Sequence, residues 1–277
     1  MNPRYIFLLA FAAVGLAVLA ITAAPHPIAG NRPAPTGDQP AAPVVVELFT
    51  SEGCSSCPPA DRLLALLDEK QPVPGARIIA LEQHVDYWDD LGWRDPFSSA
   101  QFSRRQEDYV SAFHTNGAYT PQMVVDGSTE LLGSDPHAAL AAIVKSSHVP
   151  KTSIVIGQTN PVPPDAASIP VRVSLESAPS ANAASGSDVV LAVTEDNLLS
   201  NVTNGENFGS KLFHRAVVRD MRVLGRVAGD GSFNTQTDIR FSKNWKREDL
   251  HAVAFLQQRA SRRIVGAAEI SLAATPR

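Results

Sequence analysis

The chain's two cysteines stand three residues apart, as Cys54-Ser55-Ser56-Cys57. Before them runs Val44-Val45-Val46-Glu47-Leu48-Phe49, short, β-branched and closed by polar residues, which predicts a buried strand. After them come Pro58-Pro59, which a first helical turn tolerates, and then Leu63, Leu64, Leu66 and Leu67, an apolar face at helical spacing. Cysteines at this spacing at a helix start place both sulfurs on one side, within disulfide reach. A helix N-terminus favours negative charge, so an exposed Cys54 sulfur is expected to lose its proton more easily than a free thiol. This wiring serves thiol–disulfide exchange. The plainer alternatives are a static local disulfide or half of a zinc site. Zinc normally takes four ligands, and without a second cysteine pair it would need distant His or Asp.

The elements that must position this pair follow in alternation. A second strand is expected over Ala76 to Val85. A loop over Asp86 to Pro96 comes next, and then a helix from near Ser98 with Phe102, Tyr109, Val110 and Phe113 on one face. Tyr119-Thr120-Pro121 precedes the strand Gln122–Val125. Asp126-Gly127 is a hairpin signal before Thr129–Leu132, and Ser134-Asp135-Pro136 starts a helix with Leu140, Ile143 and Val144 inward. Arg104-Arg105-Gln106-Glu107-Asp108 reads as a solvated helix face.

This order, with the cysteine pair opening the first helix, resembles the thioredoxin fold over residues 44–150. The resemblance implies that Pro121 is cis, faces the cysteines and, with Thr120, aligns the substrate backbone. It also implies that a buried carboxylate relays a proton to the second sulfur, and Glu47 stands near that place. The alternatives are a turn proline and a half-exposed strand acid. Ser55 and Ser56 between the cysteines do not place the pair within the fold's range of about −270 to −120 mV. His84, Asp86, Tyr87, Trp88, Asp89, Asp90, Trp93 and Arg94 crowd the end of the second strand, where open α/β sheets carry their sites. We read Trp88, Trp93, Tyr119, His84 and Asp86 first as the wall of a substrate groove. A packed loop is the second reading, and a copper or zinc site using His84 and Asp86 beside the cysteines is the third.

From residue 151 the pattern turns β-rich. Segments near Ser153–Ile156, Ile169–Leu175, Val189–Val193, His214–Val227, Thr237–Phe241 and His251–Leu256, broken by Pro/Ser/Ala loops, predict a separate all-β, sandwich-like domain. His214, Arg215 and Arg219 read as either an exposed strand face or a binding patch. At the other end, Arg4 and the uncharged run from Tyr5 to Ala24 read as a cleaved signal or a retained anchor, followed by a Pro/Ala-rich linker over 25–43. A net charge of −4 and the lack of a basic run exclude nucleic acid as the expected partner. There is no phosphate-binding glycine loop, nucleophile elbow or His-Glu-x-x-His motif, so no cofactor and no resident metal are expected.

Several motifs together resemble an uncharacterised family of exported bacterial proteins with a thioredoxin-like domain (domain of unknown function 1223). They are Ser51-Glu52-Gly53-Cys54-Ser55-Ser56-Cys57-Pro58-Pro59, His84-Val85-Asp86-Tyr87-Trp88-Asp89, Tyr119-Thr120-Pro121, Glu206-Asn207-Phe208-Gly209 and His214-Arg215-Ala216-Val217-Val218-Arg219. Membership implies a fold but no activity. The leading expectation is a periplasmic or secreted thiol–disulfide oxidoreductase. Cys54 is its nucleophile, Cys57 its resolving sulfur, and protein thiols, disulfides and a redox partner its partners. The rival is a non-enzymatic binding or metal-handling protein, with a structural disulfide and a recognising β-sandwich.

Overall fold

The computed structural model describes residues 41–163, 165–175 and 184–274. The expected signal or anchor over 1–24 and the linker up to residue 40 lie outside the described residues. The linker's expected last residues instead open the first strand, β1 (Ala42–Thr50). Then come α1 (Pro58–Lys70), β2 (Ala76–His84), α2 (Ala100–Phe113), β3 (Gln122–Val125), β4 (Thr129–Leu132) and α3 (Pro136–Ser147). β1 runs parallel to β2 and antiparallel to β3, and β3 runs antiparallel to β4.

Local chemistry sets the boundaries. Ser99 caps α2 by accepting the Gln101 N–H, and Asp135 caps α3 by accepting those of His137 and Ala138, which satisfies donors that a helix start leaves free. Asp126 and Gly127 both take positive φ, 46° and 57°, in the three-residue connection between β3 and β4. Along β1 the side chains alternate between faces. Val44, Val46 and Leu48 meet Leu64, Leu67 and Ile143 of α1 and α3, while Val45 meets Ile79, Leu81 and Phe102 on the other side. Val144, expected inward, is exposed, and Ala139, Ala142 and Ile143 form the buried face of α3.

The remaining strands are β5 (Ile154–Gln158), β6 (Ser168–Leu175), β7 (Asp188–Glu195), β8 (Leu198–Asn201), β9 (Lys211–His214), β10 (Val217–Arg226), β11 (Phe233–Arg240), β12 (Leu250–Gln257) and β13 (Ile264–Ser271). They correct the expectation of a separate all-β domain. One eight-stranded sheet, ordered β13-β12-β7-β10-β2-β1-β3-β4, runs through both halves of the chain. The halves join where β10 pairs with β2, Val217 opposite Glu82. The cause is the open edge of β2, whose unpaired backbone groups β10 partly covers. A sandwich-like layer survives locally. The sheet β11-β6-β5 packs Ile156, Ile169, Val171 and Val173 against Leu191, Val193, Ala254 and Leu256.

Turns from the two halves also interlock. A Cβ added to Gly127 would lie 2.0 Å from the carbonyl oxygen of Arg262, in the β12–β13 turn. Gly127→Ala therefore meets both a backbone clash and the left-handed conformation. It is expected to lower stability by about 2–4 kcal/mol, read as a shifted urea midpoint. An unchanged midpoint would show that the two turns are not packed as described.

Candidate active site

Cys57 is the N-cap of α1, with Pro58 and Pro59 in its first turn, and it is disulfide-bonded to Cys54 with the Cα atoms 5.4 Å apart. Contrary to the sequence expectation, Cys54 is not exposed: both cysteines are buried. Two loops account for this. From the β2–α2 loop, Trp88 packs on Gly53, where a Cβ would lie 3.2 Å from the Trp88 Cβ, and its indole N–H donates to Thr120 Oγ1 at 2.9 Å. From the β8–β9 loop, Asn207 Nδ2 donates to the carbonyls of Glu52 and Cys54 at 2.8 and 3.0 Å. Next to Asn207, the Glu206 carboxylate accepts the Ser55 N–H at 3.0 Å. The Ser55 hydroxyl and N–H together hold the Glu206 carboxyl below its ordinary range. The Thr120–Pro121 peptide is cis, and Pro121 and Ala60 of α1 both border Gly133.

Two buried acids, Glu47 and Asp61, divide by face. Glu47 projects to the α2 side of β1, away from α1, because strand side chains alternate. There it meets Arg105 Nε at 2.5 Å and Gln83 Nε2 at 2.7 Å, and it accepts from the Tyr109 hydroxyl. Burial pushes its carboxyl up, but the Arg105 charge and these hydrogen bonds win and hold it below the usual carboxylate range. The expected proton relay through Glu47 is therefore corrected: this is an ionised group locked in an ion pair. Arg105, read as solvated, is buried for the same reason, and Gln106 is buried where it donates to the Tyr119 carbonyl and to Gln122 Oε1. Asp61, which sequence reasoning missed, lies one turn beyond Cys57 on α1 and accepts the Thr50 hydroxyl at 2.6 Å. Burial and then the Glu82 charge push its carboxyl up to about 7. Its signal was available in principle, as an acid four residues after a helix-starting cysteine.

Below the cysteine loop lies a second buried cluster. Glu82 and His84 end β2 on the α1-facing side, and β9 delivers His214 to them. His214 Nδ1 is 2.8 Å from Glu82 Oε1, and its Nε2 is 3.1 Å from Glu52 Oε1. His84 Nδ1 is 2.7 Å from Asp95 Oδ2, and Phe97 meets both imidazoles edge-on. Burial acts against imidazolium, yet the Asp95 charge raises His84 well above its ordinary value. The Glu82 charge likewise takes His214 to about 10. His214 is thus neither on an exposed strand face nor in a surface patch.

The other expected groove residues scatter. Trp93 donates to Glu52 Oε2 at 2.7 Å. Asp86 turns to α2, accepting the Ser103 hydroxyl at 2.5 Å, so it does not pair with His84. Tyr119 donates to Glu130 at 2.6 Å on β4. Glu82, Glu52 and Asp95 had no sequence signal, because single acids in strands and loops look like surface residues.

Residues 45–257 match the family described as a protein of unknown function, DUF1223. A crystal structure of a protein from Agrobacterium tumefaciens is similar at 27% identity with a TM-score of 0.63, covering 86% of this chain and 98% of that one. None of the curated proteins matches this chain. The chain belongs to the DUF1223 family.

Arg105→Met leaves the buried Glu47 carboxylate unpaired and is expected to cost about 3–5 kcal/mol at pH 7. The folded pKa of Glu47 lies below its ordinary 4.5. Its stabilisation in the wild type is therefore present above that value and lost as pH falls through the folded pKa. Urea titrations at pH 7 and pH 3 should show the gap between wild type and variant narrowing in acid. A gap independent of pH would remove Glu47 as its cause.

Proposed function

We propose that this member of the family is an extracytoplasmic thiol–disulfide oxidoreductase with a thioredoxin-like core. The observation that carries this reading is the Cys54–Cys57 disulfide at the start of α1 with the Thr120–Pro121 loop joined to it through Trp88. The strand order β2-β1-β3-β4, with α1 and α3 packed on one face, agrees with that core. The uncharged run from Tyr5 to Ala24 and a cysteine pair able to stay oxidised agree with a location outside the cytoplasm.

In the reducing direction, the Cys54 thiolate attacks a substrate disulfide. That S–S bond breaks, a Cys54–substrate disulfide forms, and one substrate thiolate leaves. Cys57, its proton passed to Asp61, then attacks Cys54 Sγ. This re-forms the Cys54–Cys57 disulfide and releases the second substrate thiolate, which takes up a proton. The oxidising direction is the reverse. Asp61, not Glu47, is the acid held near neutrality one helical turn from the resolving cysteine.

One observation favours a second reading, in which the disulfide is a static staple: both cysteines are buried and Glu206 already occupies the Ser55 N–H. The reduction potential separates the two readings. A value between about −270 and −120 mV belongs to an exchanging pair, and one below about −300 mV to a structural bond. In the first case Cys54→Ser should abolish insulin reduction, while Cys57→Ser should trap a mixed disulfide visible on non-reducing gels. Normal turnover by either variant would sink the scheme.

Asp61→Asn gives an independent check. It should slow resolution of the mixed disulfide roughly 10²-fold and remove an inflection near pH 7 from the rate profile. The folded pKa of Asp61 lies above its ordinary 3.8. The stability linked to its protonation is therefore complete below that value and lost as pH rises through about 7, so Asn should also stabilise the fold at pH 8. An unchanged pH profile would dismiss Asp61 from the reaction.

A further inference from the structure

We propose that Glu82, His84 and His214 form a binding site for one divalent first-row transition-metal ion, held by two imidazoles and a carboxylate without sulfur. Each residue brings a ligating atom within 4.8 Å of the others. Glu82 Oε1 is the hub, 2.8 Å from His214 Nδ1 and 3.5 Å from His84 Nε2. Atoms about 2.0–2.1 Å from a tetrahedral ion lie roughly 3.3–3.5 Å from one another. Small rotations of the three side chains therefore make room for one.

The atoms behind these three are arranged as metal ligands require. Each imidazole has its far nitrogen on a carboxylate, His84 Nδ1 on Asp95 at 2.7 Å and His214 Nε2 on Glu52 at 3.1 Å. That second contact fixes ring orientation and raises ligand basicity. The carboxylates are themselves held. Trp93 donates to Glu52 Oε2 at 2.7 Å, the Glu52 N–H donates to Asp95 Oδ2 at 2.8 Å, and the Arg215 N–H donates to Glu82 Oε2 at 3.0 Å. The last bond leaves Glu82 Oε1 facing inward.

A separate observation points to a ligand. His84 is fully buried, yet its Nε2 makes no hydrogen bond. Buried polar nitrogens are nearly always partnered, and this one is aimed at the Glu82–His214 pair. The donor set selects the chemistry. Imidazole and carboxylate suit zinc, iron(II) and cobalt(II), whereas Cys54 and Cys57, bonded to each other, have no thiolate to offer. Such an ion ties β2 to β9 and, through Glu52, holds the chain two residues before Cys54.

The test is the metal content of the full chain, as purified and after refolding with Zn²⁺ or Co²⁺ alone, measured after gel filtration. One ion per chain is expected in the wild type and in Cys54→Ser/Cys57→Ser, and none in His84→Gln or His214→Gln. Asp95→Asn, a positioning change, should weaken binding about 10–100-fold. Circular dichroism of the metal-free variants checks that they fold. Should the histidine variants not fold, the Co²⁺ spectrum of the unmodified chain decides. Ligand-field bands without thiolate charge transfer support the site. A wild-type chain that holds no ion, an ion lost with the cysteines, or one retained without the histidines overturns it.

Discussion

A carboxylate taken out of water costs several kcal/mol unless cations or donors surround it, and Glu82 is fully buried where β2 meets β10. Its side chain needs His214 and the Arg215 N–H, while its own N–H donates to the Ala216 carbonyl at 2.9 Å. All three partners lie at the β9–β10 corner, more than a hundred residues away in the chain. Satisfying this one acid thus depends on the β-rich half covering the open edge of β2. Without a bound ion, a protonated His214 completes the pairing, and its raised pKa makes that contribution complete below about pH 6.5 and lost as pH rises through about 10.

The same corner sets the environment of the disulfide. β8 and β9 pair as a two-stranded ribbon whose connecting loop carries Glu206 and Asn207 onto the cysteine loop. Gly205, at φ 75°, sits so close to Trp93 that a Cβ would lie 3.0 Å from the Trp93 Cβ. The cover is held by polar contacts more than by apolar packing. Ser55 and Ser56 stay exposed, and so does Phe208, at 73%. A cover of this kind opens at lower cost than a core element. That reconciles buried sulfurs with the proposed exchange, which requires them to meet a partner.

Much of the first half was legible. The Val44–Phe49 run, the proline-started α1, the Asp126-Gly127 turn and the Asp135 cap each carry a local code that acts within a few residues. Cys54 and Cys57 likewise needed only their spacing, and the cis peptide at Pro121 came from resemblance to a known fold. The strands of the second half were mostly visible as β-rich segments. β8, β9 and β13 were not; in β13, Gly266-Ala267-Ala268 has little intrinsic preference for a strand.

What the sequence determined by itself, then, is the set of elements and the disulfide-capable pair, because hydrophobic period, caps and turns are local physics. The tertiary structure decided which polar residues share a site. It sent Glu47 to Arg105, Asp61 to Thr50, and His214 to Glu82 and Glu52, and it merged two expected domains into one sheet. Those outcomes depend on strand alternation and on which distant strand covers the β2 edge. Both follow from the pairing of buried charge and backbone groups across the whole fold, which no window of sequence contains.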